Sequence, residues 1–218
     1  MLAIAGGKGG CGKTTTTLGL AAALVRQRKA ALAVDADPEM PDLHALAGVS
    51  RDPGVDAVAA GWPPGMVAGT AGPPAAGAAV LPAASDSRVG ASSSPSLSAR
   101  LGATRGTVLL DCPAGAGPDA VEPLRLADAA VVVTTPEPAC LRDAAKTAAM
   151  ARELDLPVAG AVVSRAEAPP AGVADLLDCE VLGVVPDVGA GASVAPLADE
   201  RVRTAHDEVV SALQPKCL

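Results

Sequence analysis

The sequence predicts an α/β fold built on a single doubly wound, mainly parallel sheet with helices on both faces. Short apolar runs alternate with segments whose apolar residues recur at helical spacing, which is typical of repeated strand–helix units. A glycine-rich loop follows the first apolar run, and acidic residues close two later runs, at the edge where such sheets bind ligands. The chain has 218 residues, 50% of them hydrophobic, so we expect one domain spanning residues 1–218.

The first apolar run, residues 2–5, predicts a strand that leads into a phosphate-binding loop. Residues 7–14 read G-x-x-x-x-G-K-T, and the segment behind them is compatible with a helix. Glycines let backbone N–H groups approach a polyphosphate, and the positive end of the helix dipole adds to the attraction. In this motif Lys13 reaches the β- and γ-phosphates and Thr14 ligates Mg²⁺. The alternative is a loop that only turns the chain. The predicted nucleotide-binding residues here are Gly7, Lys8, Gly9, Gly10, Cys11, Gly12, Lys13, Thr14 and Thr15.

A second buried strand is predicted at residues 31–34, after a segment with helical periodicity. Asp35 and Asp37 follow it, where side chains at the carboxyl end of a parallel strand meet the ligand. Carboxylates in that position can hold magnesium waters and orient an attacking water. The alternative is an Asx turn, which the Asp-Pro sequence at residues 37–38 also favours.

Residues 51–105 are rich in Pro, Gly, Ala and Ser, and we interpret them as a reduced surface excursion rather than a second domain. Short helices are predicted near residues 54–60 and 96–101, and a strand at residues 78–81. The single tryptophan, Trp62, is interpreted as a local packing anchor.

A further strand is predicted at residues 107–110, closed by Asp111. Four apolar residues followed by an acid form the Walker B pattern, whose aspartate holds Mg²⁺ through water opposite Thr14. The pattern is common by itself, and the glycine-rich loop makes it specific. The residues from Cys112 onward are predicted to form a flexible loop that senses the γ-phosphate.

Composition excludes several function classes. With 17 basic and 24 acidic residues the net charge is −7, which disfavours non-specific binding to nucleic acid. No apolar run reaches 18 residues without Gly, Pro or charge, so neither a membrane-spanning helix nor a signal peptide is expected. The five cysteines never form C-x-x-C, which favours reduced thiols in a cytoplasmic protein over a zinc or iron–sulfur site. His44 and His206 lack metal-ligand spacing and are expected to be surface or packing residues.

Four stretches of the chain together resemble one family. The loop GGKGGCGKTT at residues 6–15 resembles the deviant Walker A box of the MinD/ParA family of P-loop ATPases, which is marked by an additional lysine, here Lys8. DADPEMPDL at residues 35–43 is similar to the family's second box and first switch, and DCPAG at residues 111–115 to its Walker B box and second switch. VVVTTPEP at residues 131–138, which runs into LRDAAKT, resembles the MinD branch in particular.

The resemblance implies an ATP-driven dimer switch with slow Mg²⁺-dependent hydrolysis, used to position or partition a cellular structure. In the family two subunits close face to face on two ATP molecules, and Lys8 would cross to the nucleotide of the other subunit. Lys13 would contact the nucleotide of its own subunit, and Asp37 would position the attacking water. The implied catalytic residues are Lys8, Lys13 and Asp37, and the implied magnesium-side residues are Thr14, Asp35 and Asp111.

The sequence departs from the family at the base site and in the tail. An asparagine that reads adenine should follow the strand at residues 158–163, and Ser164 and Arg165 stand there instead. LGVVPD at residues 182–187 matches the loop near the base, so ATP remains the expected nucleotide over GTP. The implied base-side residues are Arg165, Pro186 and Asp187. The tail helix predicted at residues 197–213 lacks the basic amphipathic face of bacterial MinD proteins, so it is expected to pack on the sheet.

The expected partners are ATP, a second copy of the chain in the ATP state, and an unidentified protein partner or activator. Direct membrane binding and specific nucleic acid binding are not expected, and any patterned or polar placement in the cytoplasm would come through a partner. Two other functions remain open at this point: an iron–sulfur cluster carrier of the related Mrp type, and a nucleotide-gated adaptor that does not hydrolyse ATP.

Overall fold

One eight-stranded sheet organises the computed structural model, which describes residues 1–83, 95–115, 117–189 and 195–217. Along the sheet the strands follow the order β3-β4-β2-β5-β1-β6-β7-β8. All neighbours pair in parallel except β3 and β4, which are antiparallel. The predicted doubly wound, mainly parallel α/β fold is confirmed. The strands are β1 (Leu2–Gly6), β2 (Ala31–Asp35), β3 (Gly69–Thr70), β4 (Ala79–Leu81), β5 (Thr107–Ala114), β6 (Ala129–Thr134), β7 (Val158–Ser164) and β8 (Val181–Val185).

Helices cover both faces of this sheet. Successive side chains of β1 point to opposite faces, as in any extended strand. Leu2 and Ile4 join the core beneath α1 and α9, whereas Ala3 and Ala5 join the core beneath α3, α5, α6 and α7. The helices are α1 (Lys13–Arg26), α2 (Leu43–Ala47), α3 (Val55–Ala59), α4 (Pro64–Val67), α5 (Pro95–Gly102), α6 (Pro118–Leu126), α7 (Pro138–Glu153), α8 (Val173–Leu177) and α9 (Glu200–Cys217).

The pairing of α1 with α9 depends on a glycine. His206 of α9 is fully buried, and its Nδ1 lies 2.7 Å from the carbonyl oxygen of Val202. A Cβ at Gly19 of α1 would lie 2.5 Å from Nε2 of that ring, so the ring occupies space that only glycine leaves free. His206 is therefore a packing residue, as predicted.

The predicted excursion at residues 51–105 contributes to the main sheet. Its helices α3 and α5 and its strand β4 confirm the predicted elements, while α4 and β3 were not predicted. Residues 84–94 lie outside the described residues. Trp62 is 57% exposed, so its interpretation as a packing anchor is wrong.

The bounds of β5 and α9 differ from the predicted ones. Strand β5 continues through Cys112 to Ala114, so the predicted loop begins later than expected because these residues pair with the end of β1. The tail helix is shifted along the chain, since it begins at Glu200 and ends at Cys217 instead of spanning 197–213, and it packs on α1 and β8 with its apolar residues buried. No helix in the described parts of the chain combines the length and the apolar character needed to cross a bilayer. The buried apolar residues of α9 are Val202, Ala205, Val209, Val210 and Leu213.

Candidate functional site

The predicted glycine loop and the predicted acids Asp35 and Asp111 lie where β1, β2 and β5 end. Parallel pairing places Asp111 beside Ile4 of β1 on one side and beside Asp35 of β2 on the other. Both acids lie at the carboxyl ends of their strands, next to the loop that leaves β1. Open α/β sheets bind ligands in this position.

The loop between β1 and α1 has the backbone of a phosphate cradle. Gly10 and Gly12 have φ angles of 77° and 93°, in the left-handed region that side chains disfavour. Helix α1 begins directly after Gly12, with the N–H of Thr16 bonded to the Gly12 carbonyl at 2.8 Å. The first N–H groups of a 14-residue helix are therefore presented to this loop, which suits an anion.

The two lysines of the loop have different environments. Lys13 is only 8% exposed, and its Nζ donates to the backbone oxygen of Lys8 at 3.4 Å. The side chain of Lys8 is 49% exposed, and its Nζ lies 3.8 Å from Oε2 of Glu137. One cation thus belongs to the interior of the site and the other to its surface.

Helix α7 packs directly against the loop. A Cβ at Gly7 would overlap the backbone of Asp143, which explains the need for glycine at this position. Glu137, the N-terminal cap of α7, is the residue that pairs with Lys8. Any displacement of α7 therefore acts on the loop at two points.

The paired acids are unusually basic for carboxyl groups. Burial, followed by the charge of Asp111, raises the pKa of Asp35 to about 7. Burial also raises the pKa of Asp111 to about 7, although a hydrogen bond from Thr14 and the charge of Lys13 oppose the shift. Two neighbouring carboxyl groups that are costly to ionise without a counter-charge suit a site for a divalent cation.

A residue that the sequence analysis missed helps to hold Asp111. Thr17 of α1 is fully buried, and its Oγ1 lies 3.2 Å from Oδ1 of Asp111 and 3.0 Å from the Lys13 carbonyl. A hydroxyl donates one proton, so Thr17 donates either to Asp111 or to the Lys13 carbonyl. Its position one helical turn after Lys13 is the only signal in the sequence that could have indicated this contact.

Asp37 forms the Asx turn that the sequence left open as an alternative. Its Oδ1 accepts the backbone N–H groups of Glu39 and Met40 at 3.2 and 2.9 Å. Its own N–H donates to Oδ1 of Asp35 at 3.1 Å, while Leu43 donates to Oδ2 of Asp35 at 3.2 Å. The segment after β2 is thus folded around both acids, and Asp37 is partly exposed beside the site.

A cavity of about 350 Å³ adjoins the loop on its β7 and β8 side. It is lined by residues at the start of α1 and by the residues that follow β8. Six residues predicted to bind nucleotide line this cavity, while Asp35, Asp37 and Asp111 lie outside its lining. The six are Gly10, Gly12, Thr15, Arg165, Pro186 and Asp187.

Two residues predicted to bind nucleotide, Cys11 and Arg165, have side chains that are engaged with other parts of the protein. The thiol of Cys11 is buried in the core, where burial raises its pKa, so only the backbone of Cys11 remains available to a ligand. Arg165 lines the cavity, but its Nη2 donates to the Gly10 carbonyl at 2.6 Å. Ser164, which was not predicted as a site residue, donates from Oγ to the Cys11 carbonyl at 2.6 Å.

The donor set fits magnesium with a nucleotide. Thr14, Asp35 and Asp111 offer only hard oxygen atoms, and Mg²⁺ in nucleotide sites takes one or two protein ligands beside water and phosphate. Within the described residues no group of three or more His, Cys, Asp or Glu side chains is arranged to hold a metal ion by itself. The residues therefore suit a metal that arrives together with a polyphosphate.

Known proteins are similar to this chain in sequence and in fold. An uncharacterized ATP-binding protein of Methanocaldococcus jannaschii is 35% identical over 196 residues, which are 85% of this chain and 74% of that protein. The cell division ATPase MinD of Pyrococcus furiosus matches the structure with a TM-score of 0.82 at 26% identity, over 98% of both chains. The septum site-determining protein MinD of Pyrococcus horikoshii, complexed with Mg-ADP, also matches with a TM-score of 0.82 at 26% identity, over 98% of this chain and 95% of its own.

The family model for the CobQ/CobB/MinD/ParA nucleotide binding domain matches residues 2–192, which include the glycine loop, Asp35 and Asp111, and most of the residues that line the cavity. The family resemblance drawn from the motifs is thereby confirmed. This chain belongs to the CobQ/CobB/MinD/ParA family of P-loop nucleotide binding proteins, and MinD proteins are among its structural relatives.

Proposed function

We propose that this chain, acting as one domain, is a MinD/ParA-like ATPase whose ATP-bound state dimerises and whose slow hydrolysis ends that state. The observation that carries the proposal is the difference in burial between the two lysines of the loop. Lys13 is buried in its own site, whereas Lys8 is at the surface, where it pairs with the exposed carboxylate of Glu137. A surface cation on a phosphate loop is available to the nucleotide of a second subunit.

The chain's own groups supply binding and orientation. The backbone N–H groups of the loop and the start of α1 bind the phosphates, and Lys13 neutralises charge on the β- and γ-phosphates. Mg²⁺, held near Thr14, Asp35 and Asp111, would neutralise further phosphate charge when bound. Asp37 orients the attacking water beside the γ-phosphate, and Lys8 from the other subunit stabilises charge that develops during transfer. A catalytic cation supplied in trans makes hydrolysis depend on assembly.

ATP is the proposed nucleotide, in keeping with the Mg-ADP complex of the Pyrococcus horikoshii relative. Its base and ribose would occupy the cavity beside Pro186 and Asp187. The relatives' names include cell division and septum site-determining proteins, which supports a role in positioning a cellular structure through a protein partner. Helix α9 buries its apolar face against α1 and β8, so we do not propose that it binds membrane directly.

Nucleotide binding and assembly of Lys13→Ala test the proposal. Titration calorimetry with Mg-ATP, together with light scattering, should show tight binding and a dimer for the wild-type protein. Lys13→Ala should lose both, because the only buried side-chain cation of the loop is removed. Lys29→Ala, which removes a lysine just beyond the other end of α1, is the control and should behave as wild type. Unchanged affinity and assembly in Lys13→Ala would reject the assignment.

A further inference from the structure

The two residues that end β7 are joined to the phosphate loop. Ser164 Oγ donates to the carbonyl of Cys11, and Arg165 Nη2 donates to the carbonyl of Gly10, both at 2.6 Å. We propose that Ser164 and Arg165 are positioning residues that hold the phosphate loop in its binding conformation, and that neither of them reads the base. This inference rests on the proposed function, because it concerns the same nucleotide site.

The backbone at Arg165 makes this double contact possible. Neighbouring residues of an extended strand point to opposite faces, so two successive side chains do not normally reach the same loop. Arg165 has a φ of 54°, in the left-handed region that residues other than glycine rarely adopt. This turn ends the alternation, and both donors face the loop between Gly10 and Gly12.

Both hydrogen bonds come from the end of β7, where this strand pairs with β8. Ser164 is in register with Val185 of β8, and the N–H of Ala166 donates to the Val185 carbonyl at 3.2 Å. Ser164 itself is only 5% exposed. The loop is therefore tied to the end of a paired strand.

Holding these carbonyls also fixes the direction of the loop amides. Across a trans peptide the carbonyl oxygen and the next N–H point in opposite directions. When the oxygens of Gly10 and Cys11 are bound by β7, the N–H groups of Cys11 and Gly12 point away from β7. These are the donors that a P-loop uses for phosphate, so the contacts prepare the anion site before any ligand arrives.

The same contacts occupy the side chains of Ser164 and Arg165, which are then not used to recognise the base. A serine hydroxyl has one proton, and that proton is committed to the Cys11 carbonyl, so Ser164 has no donor left for a base and could only accept from one. The space beside it is also restricted, since a Cβ at Gly12 would lie 3.0 Å from Ser164 Oγ. Selection among bases is left to the residues after β8, including Pro186 and Asp187, which line the same cavity.

Binding of ligands with and without a base tests the inference. Titration calorimetry would compare Mg-ATP, Mg-GTP and Mg-tripolyphosphate for the wild type, Ser164→Ala and Arg165→Ala. We expect Ser164→Ala, which changes no charge, to weaken all three ligands by about three- to tenfold, the scale of one buried hydrogen bond. The ratio of ATP to GTP affinity should stay within a factor of about two of the wild-type ratio, because the phosphate contacts are shared.

Controls separate the hydrogen bonds from charge and from folding. Arg105→Ala removes an exposed arginine just before β5, at the amino ends of the strands and so away from the site. It therefore measures the effect of lost charge alone. Hydrogen exchange of the unliganded protein provides a second readout. Amides of residues 10–12 should exchange several-fold faster in Ser164→Ala and Arg165→Ala, while those of β6 keep the wild-type rate.

The possible failures are distinguishable. A loss confined to ATP, with tripolyphosphate binding unchanged, would show that β7 reads the nucleoside and would overturn the inference alone. Unchanged binding and unchanged exchange in both variants would also overturn it. A wild-type protein that binds none of the three ligands would overturn the proposed function, and this inference with it.

Discussion

Nζ of Lys8 lies 3.8 Å from Oε2 of Glu137, which links the phosphate loop to the first turn of α7. The two side chains are 49% and 60% exposed, so water screens the pair on both sides. Exposed ion pairs of this kind contribute about 0–1 kcal/mol. Lys8 can therefore leave Glu137 at little cost, as its proposed contact with a second subunit requires.

Glu137→Gln should release Lys8 without harming the fold. We expect the free energy of unfolding to change by less than about 0.5 kcal/mol, as for most surface substitutions. The Mg-ATP-dependent dimer should become tighter by up to about fivefold, because Lys8 no longer exchanges one partner for another. Sedimentation velocity measures the dimer, and Glu153→Gln at the other end of α7 is the control. A weaker dimer would mean that Glu137 guides Lys8 across the interface.

Lys8→Ala should separate binding from assembly. The monomer keeps the backbone cradle and Lys13, so its affinity for Mg-ATP should remain close to wild type. Dimerisation and turnover should both fall, since the cation supplied to the other subunit is gone. Light scattering and phosphate release on the same samples read both quantities, with Lys146→Ala of α7 as a matched control. A normal dimer in Lys8→Ala would remove Lys8 from the trans role.

Asp37 should affect hydrolysis more than binding. Asp37→Ala should lower the rate of phosphate release by about one to several orders of magnitude while the dimer persists, as when a water-positioning group is lost. Asp37 also accepts the N–H groups of Glu39 and Met40, so Asp37→Ala loosens that turn. Asp37→Asn keeps an acceptor for both N–H groups and should be equally slow. If only the alanine variant is slow, the turn rather than the carboxylate matters.

Thr17→Val should weaken the site around Asp111. Valine has nearly the shape of threonine but no hydroxyl, so the buried site loses the group that contacts both the Asp111 carboxyl and the Lys13 carbonyl, and the free energy of unfolding should fall by about 1–2 kcal/mol. The Mg²⁺ concentration that half-saturates nucleotide binding should rise several-fold. Thr17→Ser should restore both values. The matched control is Thr147→Val, which removes a buried hydroxyl that donates only within α7, to the Asp143 carbonyl.

His206 should make the stability of the protein depend on pH. Burial lowers the pKa of His206 from 6.5 to about 4. Between pH 4 and pH 6.5 the imidazole of His206 is protonated in the unfolded chain and neutral in the folded one. The free energy of unfolding therefore keeps its full contribution from His206 above pH 6.5, and that contribution is lost as the pH falls toward 4. The loss amounts to about 3 kcal/mol.

The carboxyl groups of Asp35 and Asp111 titrate in the opposite sense. Their folded pKa values of about 7 lie above those of ordinary carboxyl groups, so their contribution to stability decreases as the pH rises toward 7. The measurement must therefore be the difference between the wild type and His206→Leu in urea denaturation at pH 7 and pH 4.5. A difference that does not change with pH would show that His206 is charged when buried or is accessible to water.

The sequence was sufficient to predict the fold class and the functional residues that directly follow the strands. The glycine loop, Asp35 and Asp111 could be placed because each stands directly after an apolar run, and parallel strands bring their carboxyl ends to one edge. The extension of β5 to Ala114 could not be predicted, because it depends on pairing with the end of β1.

Contacts between distant segments were the least predictable part of the site. The bond from Ser164 to Cys11 joins residues 153 positions apart, and neither residue carries a local signal of the other. Arg165 was expected near the base because of the family pattern, and only its left-handed backbone reveals that the guanidinium turns to Gly10. The pairing of Lys8 with Glu137 likewise depends on how α7 packs against the loop.

The exposure of Trp62 determines how this protein can be observed by optical methods. The chain has one tryptophan and neither tyrosine nor phenylalanine, so its near-ultraviolet absorbance and its fluorescence arise almost entirely from one indole. That indole is already 57% exposed in the folded state, and its emission should shift little when the protein unfolds. Far-ultraviolet circular dichroism should therefore reveal the unfolding of the core, while a tryptophan introduced beside the phosphate loop would report on nucleotide against the emission of one other indole, that of Trp62.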